Sequence, residues 1–203
     1  MQQISVVVTN HNYGKFLGRC IRSLLNQTLK SEDFEIIVVD DASSDDSLNI
    51  LNLFGSQIKV VSLKQNMGLA FSSNAGIGQC ISRYIVRVDA DDYVHPKFLE
   101  TLLLAFELMG GSYEAVSCDY SKVDLAGNHI SYESQTNAPI ACAVAFKMEA
   151  LETLGFYNSE LRINEEVDLL NRFRAEGMKS SNVSLPLYRY VQHDDSLTKK
   201  VIK

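Results

Sequence analysis

The sequence predicts an α/β fold, a doubly wound and mainly parallel central sheet with helices on both faces. Short β-branched apolar runs at residues 4–8, 35–39, 58–63 and 84–88 alternate with stretches of helical spacing. Residues 36–39 are apolar at every position instead of at every second one. A strand covered by helices on both faces has that pattern, and such strands are parallel. Repeated strand–helix units of this length wind into layers around one sheet.

Each element follows from local pattern. After the first strand, Phe16, Leu17, Cys20, Ile21, Leu24 and Leu25 form an apolar stripe, while Lys15, Arg19 and Arg22 fall elsewhere. Ser44, Asp45 and Asp46 supply N-terminal signals for a second helix carrying Leu48, Ile50, Leu51 and Leu53. A third helix is expected over 69–80, and Pro96 opens a fourth from 97 to about 109, closed by Gly110 and Gly111. The texture then changes. Shorter β-like pieces are expected near 115–119, 128–132 and 141–147. A helix follows over 165–176, with Asn164 as N-cap and Gly177 at its end, then a strand at 187–191 and a polar, flexible end. With 203 residues and no repeat or linker, the chain reads as one domain whose two textures are halves of a whole.

Composition narrows function. Hydrophobic residues make up 46% and charged residues 22%, as in a globular protein able to bury a core. A formal charge of −6 disfavours phosphate backbones, so a nucleic-acid partner is not expected. Cys20, Cys80, Cys118 and Cys142 lie far apart and read as reduced core thiols of a cytoplasmic protein. No signal peptide is visible and no run of 18 apolar residues occurs, so no membrane span is expected. Peripheral association with the inner face of a membrane, and a homodimer, stay open.

The acids are the informative residues. In an open parallel sheet, ligands bind beyond the carboxyl ends of the strands. There the first run ends in Thr9, Asn10, His11 and Asn12, the second in Asp40 and Asp41, and the fourth in Asp89, Asp91 and Asp92. Ser43 to Asp46 suit turn chemistry equally well. Three carboxylates within four residues after Val88 repel one another and exceed what a turn needs. A divalent cation with hard oxygen ligands, Mg²⁺ or Mn²⁺, stabilises such a cluster, with phosphates completing its shell. Asp40 or Asp41 would instead accept a hydrogen bond from a base or ribose, and a nucleoside diphosphate would lie across this edge. Asn66, Gly68 and Asn74 follow the third strand, where glycine permits close backbone approach. Glu165, Glu166 and Asp168 cluster at a helix start, where acids also complement the helix dipole.

In this order the motifs closely resemble glycosyltransferase family 2, with its GT-A fold, across essentially the whole chain. They comprise 6–12, Asp40-Asp41-Ala42-Ser43-Ser44-Asp45, Asn66-x-Gly68-x-Ala70 with Asn74-Ala75-Gly76, Asp89-Ala90-Asp91-Asp92 with Pro96, the segment 150–156, and Glu165-Glu166-Val167-Asp168-Leu169. The resemblance implies an inverting transferase that moves a sugar from a nucleoside-diphosphate sugar, a UDP-sugar by preference, to a hydroxyl of a saccharide or glycolipid acceptor in bacterial-type surface polysaccharide assembly. It implies a nucleotide-binding half over about 1–92 and an acceptor-binding half over about 93–203. Thr9, His11, Asn12, Asp40, Asp41, Asn66, Gly68, Asn74, Asp89 and Ala90 would bind the nucleotide, with Asp89 on the ribose. Asp91 and His193 would hold Mn²⁺ or Mg²⁺. Glu166 would be the general base, with Asp168 in support and Glu165 sharing the work.

Departures from the family pattern are visible. Glu166 replaces the usual Asp, His11 a frequent Tyr, and Ala141 and Cys142 frequent glycines. The chain has no tryptophan, so the Gln-x-x-Arg-Trp motif of processive synthases is missing and a single-addition enzyme is implied. A dehydrogenase is excluded, because Thr9-Asn10-His11-Asn12-Tyr13-Gly14 is no Gly-x-Gly-x-x-Gly turn. A nucleotide-sugar-binding scaffold without turnover is the competing reading, and Mn²⁺-dependent donor hydrolysis separates the two.

Overall fold

In the computed structural model, which describes residues 2–108 and 111–196, a mixed sheet carries helices on both faces. Its first half comprises β1 (Ile4–Asn10), β2 (Phe34–Asp40), β3 (Lys59–Ser62) and β4 (Tyr84–Asp89), ordered β3-β2-β1-β4 and parallel throughout. The helices between them are α1 (Gly14–Leu25), α2 (Ser47–Asn52) and α3 (Leu69–Ile77). The second half adds β5 (Tyr93–Val94), α4 (Phe98–Leu108), β6 (Ala115–Val123), β7 (His129–Glu133), β8 (Val144–Lys147), α5 (Met148–Leu154), α6 (Glu165–Ala175) and β9 (Ser180–Val191). Antiparallel β8 joins β4 to β6, and β9 lies parallel to β6.

The alternation of β1 and β4 builds two cores. Ile4, Val6, Val8, Val86 and Val88 face α1, α2 and α4, where Leu17, Ile21, Leu24, Leu51, Phe98 and Leu102 meet them. Val7 and Ile85 face the other way, toward Ala70 and Ile77 of α3, Leu151 of α5 and Leu169 and Phe173 of α6. Both faces of the central strands are therefore buried, as expected of apolar runs that do not alternate with polar residues.

Gly76 brings α3 down onto the sheet: a Cβ there would lie 2.5 Å from Val7 Cγ1 and 3.0 Å from Val39 Cγ2. Alanine gains about 1 kcal/mol of helix propensity, but overpacking stiff valines on central strands costs about 1–3 kcal/mol. Gly76→Ala should therefore lower stability by up to about 2 kcal/mol in urea unfolding, and a raised midpoint would mean that α3 slides to make room.

Several expectations need correction. The third helix ends at Ile77 and not at residue 80, with Gly78 as its C-cap. Asn164 does not cap α6 with its side chain; it takes a left-handed conformation, φ 60°, and makes no capping bond. The pieces expected at 115–119 and 187–191 are the ends of longer strands, β6 and β9, that pair with each other. Residues 141–143 precede β8 and are not strand. Helix α5 was not read from the sequence at all. The expected end of the fourth helix at Met109 and Gly110, and residues 197–203 of the polar end, lie outside the described residues.

Candidate functional site

Parallel register brings the carboxyl ends of β1, β2 and β4 together. Asn10 pairs with Asp40, and Thr9 with Asp89. The turns beyond them are braced by their own polar side chains. Asn10 Nδ2 donates to Asp40 Oδ1 at 2.8 Å, and the Ser43 amide donates to Asp40 Oδ2 at 3.1 Å. Asn12, at φ 61°, accepts the amides of Ser44 and Asp45 through Oδ1. Asp45 accepts the amides of Gly14 and Ser47, so the acids at 45 and 46 belong to turn and helix-start chemistry.

Asp41 ties the third loop to this edge. Its Oδ1 accepts the Met67 amide at 2.7 Å and its Oδ2 the Gly68 amide at 2.8 Å, while its carbonyl lies 2.6 Å from His11 Nδ1. Gly68 has φ +90°, and a Cβ there would fall 2.7 Å from Arg162 Nη1. The backbone conformation is what requires glycine, since the exposed Arg162 side chain can swing aside. Thr9 is buried, His11 half-buried and Asn66 exposed at the same edge. Asn74 is not turned to this edge as expected: its amide donates to the Tyr157 carbonyl and accepts the Tyr157 amide, clamping the segment after α5. The Ala90 side chain is buried in the first core.

The acids after β4 have separate environments. Asp92 is buried, accepting the Tyr188 hydroxyl at 2.7 Å and the Val191 amide at 2.8 Å. It anchors β9, and burial pushes its carboxyl well above the usual range, as do Asp91 and Asp89. Asp91 Oδ2 lies 2.9 Å from His193 Nε2. The His193 ring packs against Phe16 at 4.6 Å and Tyr13 at 5.8 Å, and its buried Nδ1 has no hydrogen-bond partner among the described residues. Burial, then repulsion from Asp89, raises the Asp91 carboxyl, while His193 lowers it.

A cation fits this place on the chemistry of its donors. The hard carboxylate of Asp91 suits Mn²⁺ or Mg²⁺, the His193 imidazole beside it is a donor that a transition metal accepts more readily than Mg²⁺, and positive charge would relieve the repulsion that raises Asp91. A second grouping, Asp89, Asp92 and Cys142, has ligand atoms within 4.8 Å of one another. There, however, Asp92 is occupied by β9, and the Cys142 thiol donates to Asp89 Oδ2 at 2.7 Å.

The acidic helix start divides differently from expectation. Glu165 is buried and Glu166 half-buried, side by side in the first turn of α6. Burial raises the Glu165 carboxyl, Arg87 opposes that rise, and Glu166 adds to it. Asp168 pairs with Arg172 at 2.6 Å, and Arg172 also donates to the carbonyls of Leu154 and Phe156, so this pair locks α6 to the end of α5.

Sequence reasoning missed Arg87, a buried arginine on β4. Its Nε lies 3.4 Å from Asp89 Oδ1 and its Nη1 3.7 Å from Glu165 Oε1. The signal was available: a charge inside a strand buried on both faces demands partners.

Comparison with known proteins gives one consistent result. The profile of "Glycosyl transferase family 2" matches residues 5–164. The poly(ribitol-phosphate) β-N-acetylglucosaminyltransferase TarP of Staphylococcus aureus (strain N315) is 37% identical over 105 residues, covering 50% of this chain and 32% of that protein. The structure of S. aureus TarS 1–349 in complex with UDP-GlcNAc superposes with a TM-score of 0.81 at 20% identity, over 96% of this chain and 60% of that one. A mannosyltransferase of Pyrobaculum calidifontis, in complex with GDP-Man and Mn²⁺, gives 0.73 at 16% identity over 98% and 59%. These likenesses establish the GT-A fold. The chain matches about a third of TarP and about three fifths of the two solved chains.

Proposed function

The chain belongs to glycosyltransferase family 2, and from that premise we propose that it is an inverting transferase moving a sugar from a nucleoside-diphosphate sugar to an acceptor hydroxyl. A UDP-sugar is the proposed donor, since TarS of the same fold was solved with UDP-GlcNAc. A saccharide or glycolipid of a bacterial surface polysaccharide is the proposed acceptor, in keeping with the poly(ribitol-phosphate) in the name of TarP. The observation that carries the reading is the pairing of Asp91 with His193 at the carboxyl end of β4, on the same sheet edge as Asp41 and Asp89.

In this reading residues 1–92 form the donor half and 93–203 the acceptor half of a single domain. Thr9, His11 and Asn12 line the base pocket. Asp41 holds the loop with Asn66 and Gly68, and each of its oxygens keeps a second lone pair for a base N–H. Asp89 accepts from the ribose. Asp91 and His193 would hold Mn²⁺ or Mg²⁺, which when bound neutralises charge on a departing diphosphate. Glu166 takes the acceptor proton as the acceptor oxygen bonds to the anomeric carbon and the bond to the diphosphate breaks, in one step on opposite faces. Among the described residues no helix is long and apolar enough to cross a membrane.

Thermal shift with UDP, GDP and other nucleoside diphosphates, with and without Mn²⁺, tests the donor site. One nucleotide at about 100 times its Kd should stabilise the fold by about 2.7 kcal/mol. Stabilisation by none of them would sink the reading. The scaffold alternative, favoured by Glu166 in place of Asp, predicts nucleotide binding without slow Mn²⁺-dependent release of diphosphate from the donor.

A further inference from the structure

We infer that Arg87 is a positioning residue for this reaction, tying Asp89 on the donor side to Glu165 on the acceptor side and so fixing where Glu166 stands relative to the donor. The inference rests on the transferase reading above and adds a residue to it. Arg87 and Asp89 alternate with Val86 and Val88 on β4, so both point to the face covered by α3, α5 and α6. The guanidinium is 6% exposed and lies beside a small cavity lined by Ser73, Ile77 and Tyr157 among others. Burial works against its charge, but Asp89 above all, then Tyr157, Cys142 and Glu165, keep it firmly protonated.

Packing alone does not account for a cation here, because an apolar side chain of similar volume would fill the space without the cost of desolvating a charge. What an arginine adds is reach in several directions at once. Its Nε faces Asp89 Oδ1, its Nη1 faces Glu165 Oε1, its Nη2 lies 3.9 Å from Cys142 Sγ, and its Cζ lies 5.5 Å from the centre of the Tyr157 ring. Among the described residues, Arg87 Nε and Nη1 and Asp89 Oδ1 have no hydrogen-bond partner. Charge, and not hydrogen bonding, therefore holds Arg87 against these two carboxylates. Glu165 in turn precedes Glu166 in the first turn of α6, so holding Glu165 holds the helix start that carries Glu166. The chain of contacts runs from strand end to helix start, across the line between the two proposed halves.

The test is a double-mutant cycle of Arg87→Met and Glu165→Gln, read by transfer kinetics, nucleoside-diphosphate affinity with Mn²⁺, and urea unfolding. Misplacing the base by about 1 Å should lower kcat by about 10²-fold in each single variant, with nucleotide affinity changed by less than about tenfold. Because one residue acts through the other, the double variant should lose about 10² and not about 10⁴. Arg87→Lys replaces Arg87→Met in the cycle if the latter fails to fold; it keeps the charge but cannot fork between two carboxylates, so the same loss is expected. Near-normal kcat, or losses that multiply, would overturn the inference. Absence of transfer by the unmutated protein would refute the transferase reading; non-additive unfolding energies would then still uphold the Arg87–Glu165 tether, and additive ones would refute it too.

Discussion

Asp91→Asn should abolish transfer and remove the Mn²⁺ dependence of nucleoside-diphosphate affinity. The substitution keeps the shape of a side chain that is only 15% exposed, so the fold should survive. It removes the anionic oxygen that lies beside His193 Nε2 and replaces it with a neutral amide, a poor ligand for a hard cation. Charge stabilisation at a departing diphosphate is worth several kcal/mol, so turnover should fall by about 10³-fold or more. Titration calorimetry with and without Mn²⁺ supplies the second readout, in which the variant should bind nucleotide equally weakly in both. Full activity of the unmutated enzyme in excess chelator would end the metal-assisted proposal. His193→Ala should weaken the same dependence more modestly, since a carboxylate and phosphates remain.

How much of this was legible follows from which residues carry periodic signals. The parallel half was readable because β1, β2 and β4 carry dense β-branched apolar runs and each ends in polar residues. Parallel register then makes those ends neighbours, which is why Thr9, Asp40 and Asp89 could be grouped from spacing alone. The antiparallel half was less legible. Strand β9 begins Ser180-Ser181-Asn182 and contains Pro186, a composition that reads as loop, and it is strand because β6 pairs along its length with breaks in register around Asp119. Helix α5 spans 7 residues, too few to show a periodic face, although Gly155 at φ 72° marks its end as a left-handed cap.

Within the site, identity was easier to read than orientation. Asp91 with His193 was grouped through the family resemblance, across 102 positions of sequence, and the two side chains meet. Asn74 and Asp168 were grouped in the same way, yet Asn74 holds Tyr157 and Asp168 holds Arg172. An asparagine on a helix has two faces of neighbours to choose from, and the sequence does not say which. Arg87 was passed over because it sits inside an apolar run, where a pattern search counts it as an interruption and not as a signal.

Glu166→Gln should leave donor binding intact and lower transfer by about 10²-fold or more. The acceptor hydroxyl must lose its proton as it attacks, and glutamine keeps the shape of the side chain without its basicity. Of the two adjacent carboxyls Glu166 is the more exposed, half-buried beside a Glu165 that is 3% exposed and faces Arg87. A base that receives a proton from a diffusing acceptor must be reachable, and Glu165 meets that demand poorly. Nucleotide affinity, donor hydrolysis and transfer should be measured together on Glu166→Gln, Glu165→Gln and Asp168→Asn. The expected pattern is a loss of transfer with normal nucleotide binding in Glu166→Gln. Asp168→Asn should instead lower the melting temperature, because its bond to Arg172 locks α5 to α6. Near-normal transfer by Glu166→Gln with an inactive Glu165→Gln would assign the proton to Glu165. A product that keeps the donor's anomeric configuration would rule out the one-step displacement, since a single attack by the acceptor inverts that centre.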